Sequence, residues 1–252
     1  MKAEMISATN YVAFTFFLGT MAMMAASVFF LVESQYTTSK WRLSILLSGL
    51  ITLIAAVHYY YMRGYNLEIN FMIRTGLLSP DEASASPTFF RYVDWLLTVP
   101  LMCVEFYLIT KKAGSGKGLL WKLIVASLVM LITGYFGETA YRNQSVIWGV
   151  ASACAYFYIV YLVWFGEVAQ LANSSSPAVN QANKSLGWFV LAGWAIYPLG
   201  YVVGTPGGLF GIPARDLGIG GLNMDIVYNI GDAINKIGFG LVIYVLSRSD
   251  KD

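Results

Sequence analysis

The sequence predicts an all-α membrane protein, a bundle of seven transmembrane helices with the N-terminus outside and the C-terminus in the cytoplasm. Three observations predict it. Of 252 residues, 57% are hydrophobic and 12% are charged, about half the charged share of a soluble domain, and the mean hydropathy is +0.60. Seven apolar runs can be cut out, roughly 11–32, 43–62, 89–110, 119–138, 145–166, 186–204 and 223–247. Each approaches the ~20 residues a helix needs to cross the hydrocarbon core. The runs also lack the period of two that a spanning β-strand carries, as "YVAFTFFLGTMAMMAASVFFLV" shows. The spans use most of the chain, so residues 1–252 are expected to form one domain.

Loop charge sets the orientation. With the N-terminus outside, Lys40, Arg42, Lys111, Lys112, Lys117, Lys122, Lys184, Arg248 and Lys251 fall inside. Lys2, Arg63, Arg74, Arg142 and Arg215 fall outside, and the excess of basic residues belongs on the cytoplasmic side. The first ten residues, "MKAEMISATN", lack the apolar region and cleavage site of a signal peptide, so the first span is expected to be its own insertion signal in a cell (inner) membrane. A net charge of +2 gives no hint of a nucleic-acid partner. Cys103 and Cys154 both lie inside spans and are expected to be buried and free, with no disulfide and no metal site.

Along the chain, the second span ends in "HYYYMRG" with His58, the only histidine. The following connection, roughly 63–88, is rich enough in β-formers in its first half to suggest a strand or short hairpin, and ends in the polar loop "SPDEASASP". "GSGKG" at 114–118 is not a phosphate loop, since no Ser or Thr follows the lysine and no strand precedes it. The fifth–sixth connection is expected to begin as a helical extension before its Ser/Pro break.

The third span carries unusual charge: "RYVDWLLTVPLMCVEFY" holds Arg91, Asp94 and Glu105. Arg91, Asp94, Thr98 and Glu105 fall within a roughly 60° arc of one helix face, a polar column. Asp94 and Glu105 stand roughly 16 Å apart along the axis, too far to share a proton. An acid near a helix end can snorkel to water, but ionisable groups inside spans usually mark a pathway. The seventh span offers a counter-charge, with Asp232 and Lys236 at i and i+4 on one face. Lys236, mid-span, reads either as half of a structural ion pair or as a reactive amine of the Schiff-base kind. An imine there could be balanced by Asp232 and Asp94, with Arg91 offsetting the extra negative charge. Trp95 beside Asp94, and Trp194, Tyr197 and Tyr201 beside Pro198 in "GWAIYPLGY", read either as packing or as the walls of a slot for a flat conjugated molecule.

These motifs, with "D..NK" in the seventh span and "GYFGE" in the fourth, closely resemble the microbial rhodopsins, and among them the proteorhodopsins, over nearly the whole chain. The resemblance implies all-trans retinal bound to Lys236 as a protonated Schiff base and a light-driven outward proton pump, a transporter rather than an enzyme. It implies that Asp94 is primary counterion and proton acceptor, Asp232 second counterion, Arg91 the arginine below them, and Glu105 the internal proton donor. Thr98 completes the family's Asp–Thr–Glu motif. Trp95, Trp194, Tyr197, Pro198 and Tyr201 match the retinal pocket. Met102 matches the colour-tuning position, where an apolar residue goes with green absorption. His58 matches the histidine that bonds the counterion. Gly149 matches a position where glycine opens a gap that can admit a carotenoid antenna. Phe17 stands where many relatives have a Trp that pairs protomers, and a homo-oligomer, pentamer or hexamer, is the family habit.

Other functions fit less well. Sensory relatives often lack a carboxylate at the position of Glu105. A sodium pump would need Asn and Asp where Asp94 and Thr98 stand, and a chloride pump would lack the Asp94 carboxylate. The runner-up is a sensory photoreceptor that signals to a membrane transducer, and the bland reading is a seven-helix transporter without retinal.

Overall fold

The computed structural model describes residues 10–79, 86–204 and 223–250. Lys2, Arg215 and Lys251, residues 1–9 ahead of the first span and most of the polar "SPDEASASP" loop lie outside the described residues. The helices are α1 Tyr11–Tyr36, α2 Ser39–Arg74, α3 Thr88–Thr110, α4 Lys117–Glu138, α5 Ser145–Trp164, α6 Glu167–Asn173, α7 Pro177–Trp188, α8 Ile196–Gly204 and α9 Met224–Ser249. Among the described residues there is no β-strand. Seven helical segments are long and apolar enough to cross a membrane, α5 with α6 and α7 with α8 each making one.

Neighbours in sequence pack side by side: α1 on α2, α2 on α3, α3 on α4 and α4 on α5. The ring closes because α9 packs against α1, α2 and α7. Large apolar side chains such as Leu18, Trp121, Phe157 and Ile234 face outward, as they must where the surrounding solvent is hydrocarbon. The buried core runs through Trp95, Met102, Phe106, Trp194 and Phe239.

The expected strand or hairpin after residue 63 is not formed; α2 continues through it to Arg74. Extending an existing helix gains a hydrogen bond per residue without a new nucleus, and this outweighs the β-preference of a few side chains. Buried Asn66 anchors the extension, with Asn70 Nδ2 donating to its carbonyl at 2.7 Å, and Tyr65 packs on Phe90. Gly76, at φ 72°, ends it in the left-handed conformation that glycine alone adopts cheaply. At 36 residues α2 is about 54 Å long, well beyond the ~30 Å hydrocarbon core.

The expected extension after the fifth span is present as α6, and Ser176 then caps α7 by accepting from Val179 N–H at 3.3 Å. The sixth span therefore starts earlier than the hydropathy suggests, at Pro177. Both cysteines are free, but only Cys103 is buried; Cys154 is exposed on the outer side of α5.

Candidate functional site

The polar column of α3 meets the charged face of α9 inside the bundle. Lys236 Nζ donates to Asp94 Oδ2 at 2.8 Å and to Asp232 Oδ2 at 2.5 Å. Lys236 is 2% exposed and both acids are 0% exposed, so the three charges face each other without solvent. Removing charges from water is tolerable only when they are paired and hydrogen-bonded. Asp232 is saturated: Tyr59 OH donates to Oδ2 at 3.0 Å and Tyr197 OH to Oδ1 at 2.5 Å. Asp94 is not. Its Oδ1 is buried with no hydrogen-bond partner. Thr98 caps the same turn, its hydroxyl donating to the Asp94 backbone carbonyl at 2.8 Å.

Arg91 is almost fully buried one turn before Asp94 on α3, and its direct ion pair is with Asp225. Its Nη2 donates to Asp225 Oδ1 at 2.9 Å, and both Nη atoms lie 3.2 Å from Asn229 Oδ1. Its guanidinium also covers the Tyr228 ring at 4.9 Å. Lys236, Asp94 and Asp232 together carry one formal negative charge in excess; the Tyr59 and Tyr197 hydroxyls solvate it at Asp232, and the buried Arg91 acts on Asp232 through space. His58 also departs from expectation: its Nδ1 bonds the Ile54 carbonyl of its own helix at 2.9 Å and stands 4.0 Å from Asp94 Oδ1, beyond hydrogen-bond reach.

Glu105 lies on the C-terminal half of α3 and is 0% exposed, which removes the snorkelling reading. Neither carboxyl oxygen meets hydrogen-bond geometry; Ser44 of α2 is the polar group placed against it. Around it the packing is apolar, with Phe106 on Phe239 at 5.8 Å.

Beside the ion cluster is an apolar cavity of ≈ 200 Å³, walled by Trp95, Trp194, Tyr197, Pro198, Tyr201 and Gly149. The slot expected between these aromatics is therefore present. Tyr197 connects it to the charges, since it both lines the cavity and bonds Asp232. Met102 is buried on α3 but does not line this cavity, and neither does Lys236, whose Nζ is turned onto the carboxylates. Gly149 leaves an opening that Tyr201 partly fills, because a Cβ there would meet the Tyr201 ring at 2.8 Å.

Four site residues were not singled out by sequence reasoning: Tyr59, Asp225, Asn229 and Asn235. Asp225, Asn229, Asp232 and Lys236 are spaced 4, 3 and 4, one face of α9, so the spacing that exposes the lysine pair exposes them too. Tyr59 adjoins His58 in the "HYYY" run but carried no distinguishing signal of its own.

The family model described as bacteriorhodopsin-like protein matches residues 10–249. The chain is 41% identical over 242 residues to the green-light absorbing proteorhodopsin of Gamma-proteobacterium EBAC31A08, covering 95% of this chain and 87% of that one. It is equally 41% identical, over 239 residues, to the blue-light absorbing proteorhodopsin of Gamma-proteobacterium Hot 75m4, covering 94% and 86%. Among solved structures it is similar to xanthorhodopsin, described as a light-driven ion pump with dual chromophore. There the TM-score is 0.75 at 25% identity, covering 96% of this chain and 95% of that one.

Proposed function

The chain belongs to the bacteriorhodopsin-like family, and from that premise we propose that it is a light-driven outward proton pump of the cell (inner) membrane with retinal carried on Lys236. The observation that carries the reading is the buried lysine held between two carboxylates at the edge of an aromatic slot. The residues present fit retinal: the slot is apolar and lined by aromatic rings, and Asp94 Oδ1 beside Lys236 is a buried acceptor without a partner. When bound, retinal supplies light absorption and an isomerisation that changes the basicity and facing of the Lys236 nitrogen.

Asp94 is the acceptor. It touches Nζ through Oδ2 while Oδ1 has no hydrogen bond to lose. Asp232, held by Tyr59 and Tyr197, stays an anion and fixes the site's charge. Glu105 is the donor: a carboxyl buried without a strong partner is cheap to keep neutral and costly to ionise, so it holds a proton at rest and releases it toward Nζ. Arg91, Asp225 and Asn229 close the outer side. Direction follows from the order of acceptor and donor along α3: Asp94 touches Nζ, and Glu105 stands about 16 Å further along the axis, on the cytoplasmic side. Residues 1–252 act as one domain with the N-terminus outside. Met102 sets the colour toward green, Gly149 is the place for a carotenoid antenna, and the protomers assemble as a pentamer or hexamer.

Illumination of retinal-loaded cells in unbuffered salt tests the reading with a pH electrode. Acidification that a protonophore abolishes is expected. A coloured protein that moves no protons would instead mark a sensory photoreceptor, and absence of a hydroxylamine-bleachable pigment would mark a transporter without retinal.

A further inference from the structure

The sixth span is not a continuous α-helix. After α7 a π-helical turn runs over Phe189–Gly193, closed by Trp194 N–H donating to Phe189 O at 2.9 Å. Such a turn holds an extra residue and disturbs the regular pairing of carbonyls. Here two neighbouring helices take up the carbonyls. The Tyr156 hydroxyl of α5 lies 3.0 Å from Val190 O and 2.9 Å from Leu191 O. From the other side, Asn235 of α9 donates Nδ2 to Gly193 O at 2.9 Å. The approach is close at both ends. A Cβ on Gly193 would overlap the Asn235 amide, and a Cβ on Gly238 would overlap the Phe189 ring. Asn235 and Tyr156 are buried, neither takes part in the proton transfers above, and Tyr156 also lines the far wall of the cavity, so substitution of Asn235 is the one that acts on the turn alone.

Their positions connect the two halves of the site. Asn235 immediately precedes Lys236, and Trp194, a cavity wall, immediately follows the π turn. Pro198 has no N–H for Trp194 O, which accepts from Tyr197 N–H at 3.1 Å instead. The stretch carrying Trp194 and Tyr197 is therefore weakly held by its own helix. Losing the extra residue of the π turn would rotate that stretch by about 100°, taking Trp194 off the cavity and Tyr197 off Asp232.

We propose that Asn235 and Tyr156 are positioning residues that lock this π turn, and that the Asn235–Gly193 bond passes any displacement of the Lys236 backbone to the sixth helix. The proposal rests on Lys236 being the retinal-bearing residue. Wild type, Asn235→Leu and Tyr156→Phe would be loaded with all-trans retinal. Flash-induced absorbance relaxation would be followed beside the light-induced distance change between spin labels at Gln181 and Lys117, with Cys154 replaced by Ser. Both variants are expected to form pigment. Their late relaxation should change by about threefold to tenfold, the range that one net hydrogen bond spans, and the distance change should shrink in Asn235→Leu. Wild-type relaxation and displacement in both variants, or a loss of thermal stability alone, overturns the proposal. If Asn235→Leu does not fold, Tyr156→Phe decides. A wild-type protein that makes no pigment would overturn the proposed function instead; a pumping wild type with indifferent variants overturns only this inference.

Discussion

The two halves of the bundle treat buried carboxyls in opposite ways. Around Lys236 and the N-terminal half of α9, Asp232 accepts from Lys236, Tyr59 and Tyr197, and Asp225 accepts from Arg91 and from Ser86. Toward the C-terminal end of α3, Glu105 sits among apolar side chains with no hydrogen bond of good geometry. The difference teaches how one bundle can carry both a fixed charge and a proton store. A carboxylate held as Asp232 is stays an anion, because three donors replace the water it left. An unsaturated pocket makes the anion expensive, so the proton stays until something nearby needs it.

The largest effect should come from removing the charge that separates the halves. Lys236→Ala leaves Asp94 and Asp232 facing each other, buried, without their cation. Breaking a buried ion pair from one side costs about 3–5 kcal/mol, and retinal loses its attachment. Absorbance after addition of all-trans retinal should show no pigment, and light should produce no pH change. A coloured, pumping Lys236→Ala protein would refute the assignment of the lysine.

Glu105→Gln sharpens the contrast next. Because Glu105 lies outside the network around Nζ, the dark spectrum should stay close to wild type. Loss of a positioned proton donor typically costs about 10²-fold or more, so the late flash-induced relaxation should slow by roughly that factor. Unchanged kinetics would show that protons reach Nζ by another route.

Asp225→Asn probes the saturated half. Arg91 is 1% exposed, while the Asp225 side chain is 14% exposed, and the amide keeps an acceptor for the guanidinium. A hydrogen bond to a charged group is worth about 1.5–3 kcal/mol net, and the substitution keeps part of it. The expected result is an earlier thermal bleaching of the pigment, with pumping retained. Loss of pumping at full stability would give Asp225 a direct part in proton exit.

Much of this was legible in the sequence because a helix converts spacing into direction. Arg91, Asp94, Thr98 and Glu105 needed only their intervals to share a face, and so did Asp232 and Lys236. The same rule reaches Asp225 and Asn229, but a charge at the edge of a span reads as a loop residue, which hid them. The course of α2 past residue 63 was not legible, because local β-preference says nothing of a helix already propagating. The partners of Arg91, and the π turn bonded by Asn235 and Tyr156, depend on contacts between helices distant in sequence, such as Asn235 with Gly193. No interval within one helix encodes them.

The smallest effect concerns His58, where resemblance and geometry pull apart. A direct bond to Asp94 would make the histidine part of the saturated network, and its removal would then change both colour and stability. The ring instead bonds Ile54 O, and its Nδ1 stands 4.0 Å from Asp94 Oδ1. At that separation a charged imidazole still acts on the carboxylate through space, whereas a neutral ring does little. His58→Asn should therefore leave pigment yield and thermal stability near wild type and move only the midpoint of the colour titration. The measurement is the absorption maximum followed from acid to alkali in both proteins. Superimposable titrations would place His58 outside the counterion's surroundings altogether. A collapse of pigment yield would mean that the histidine bonds Asp94 directly once retinal is in place, and that the network extends to α2.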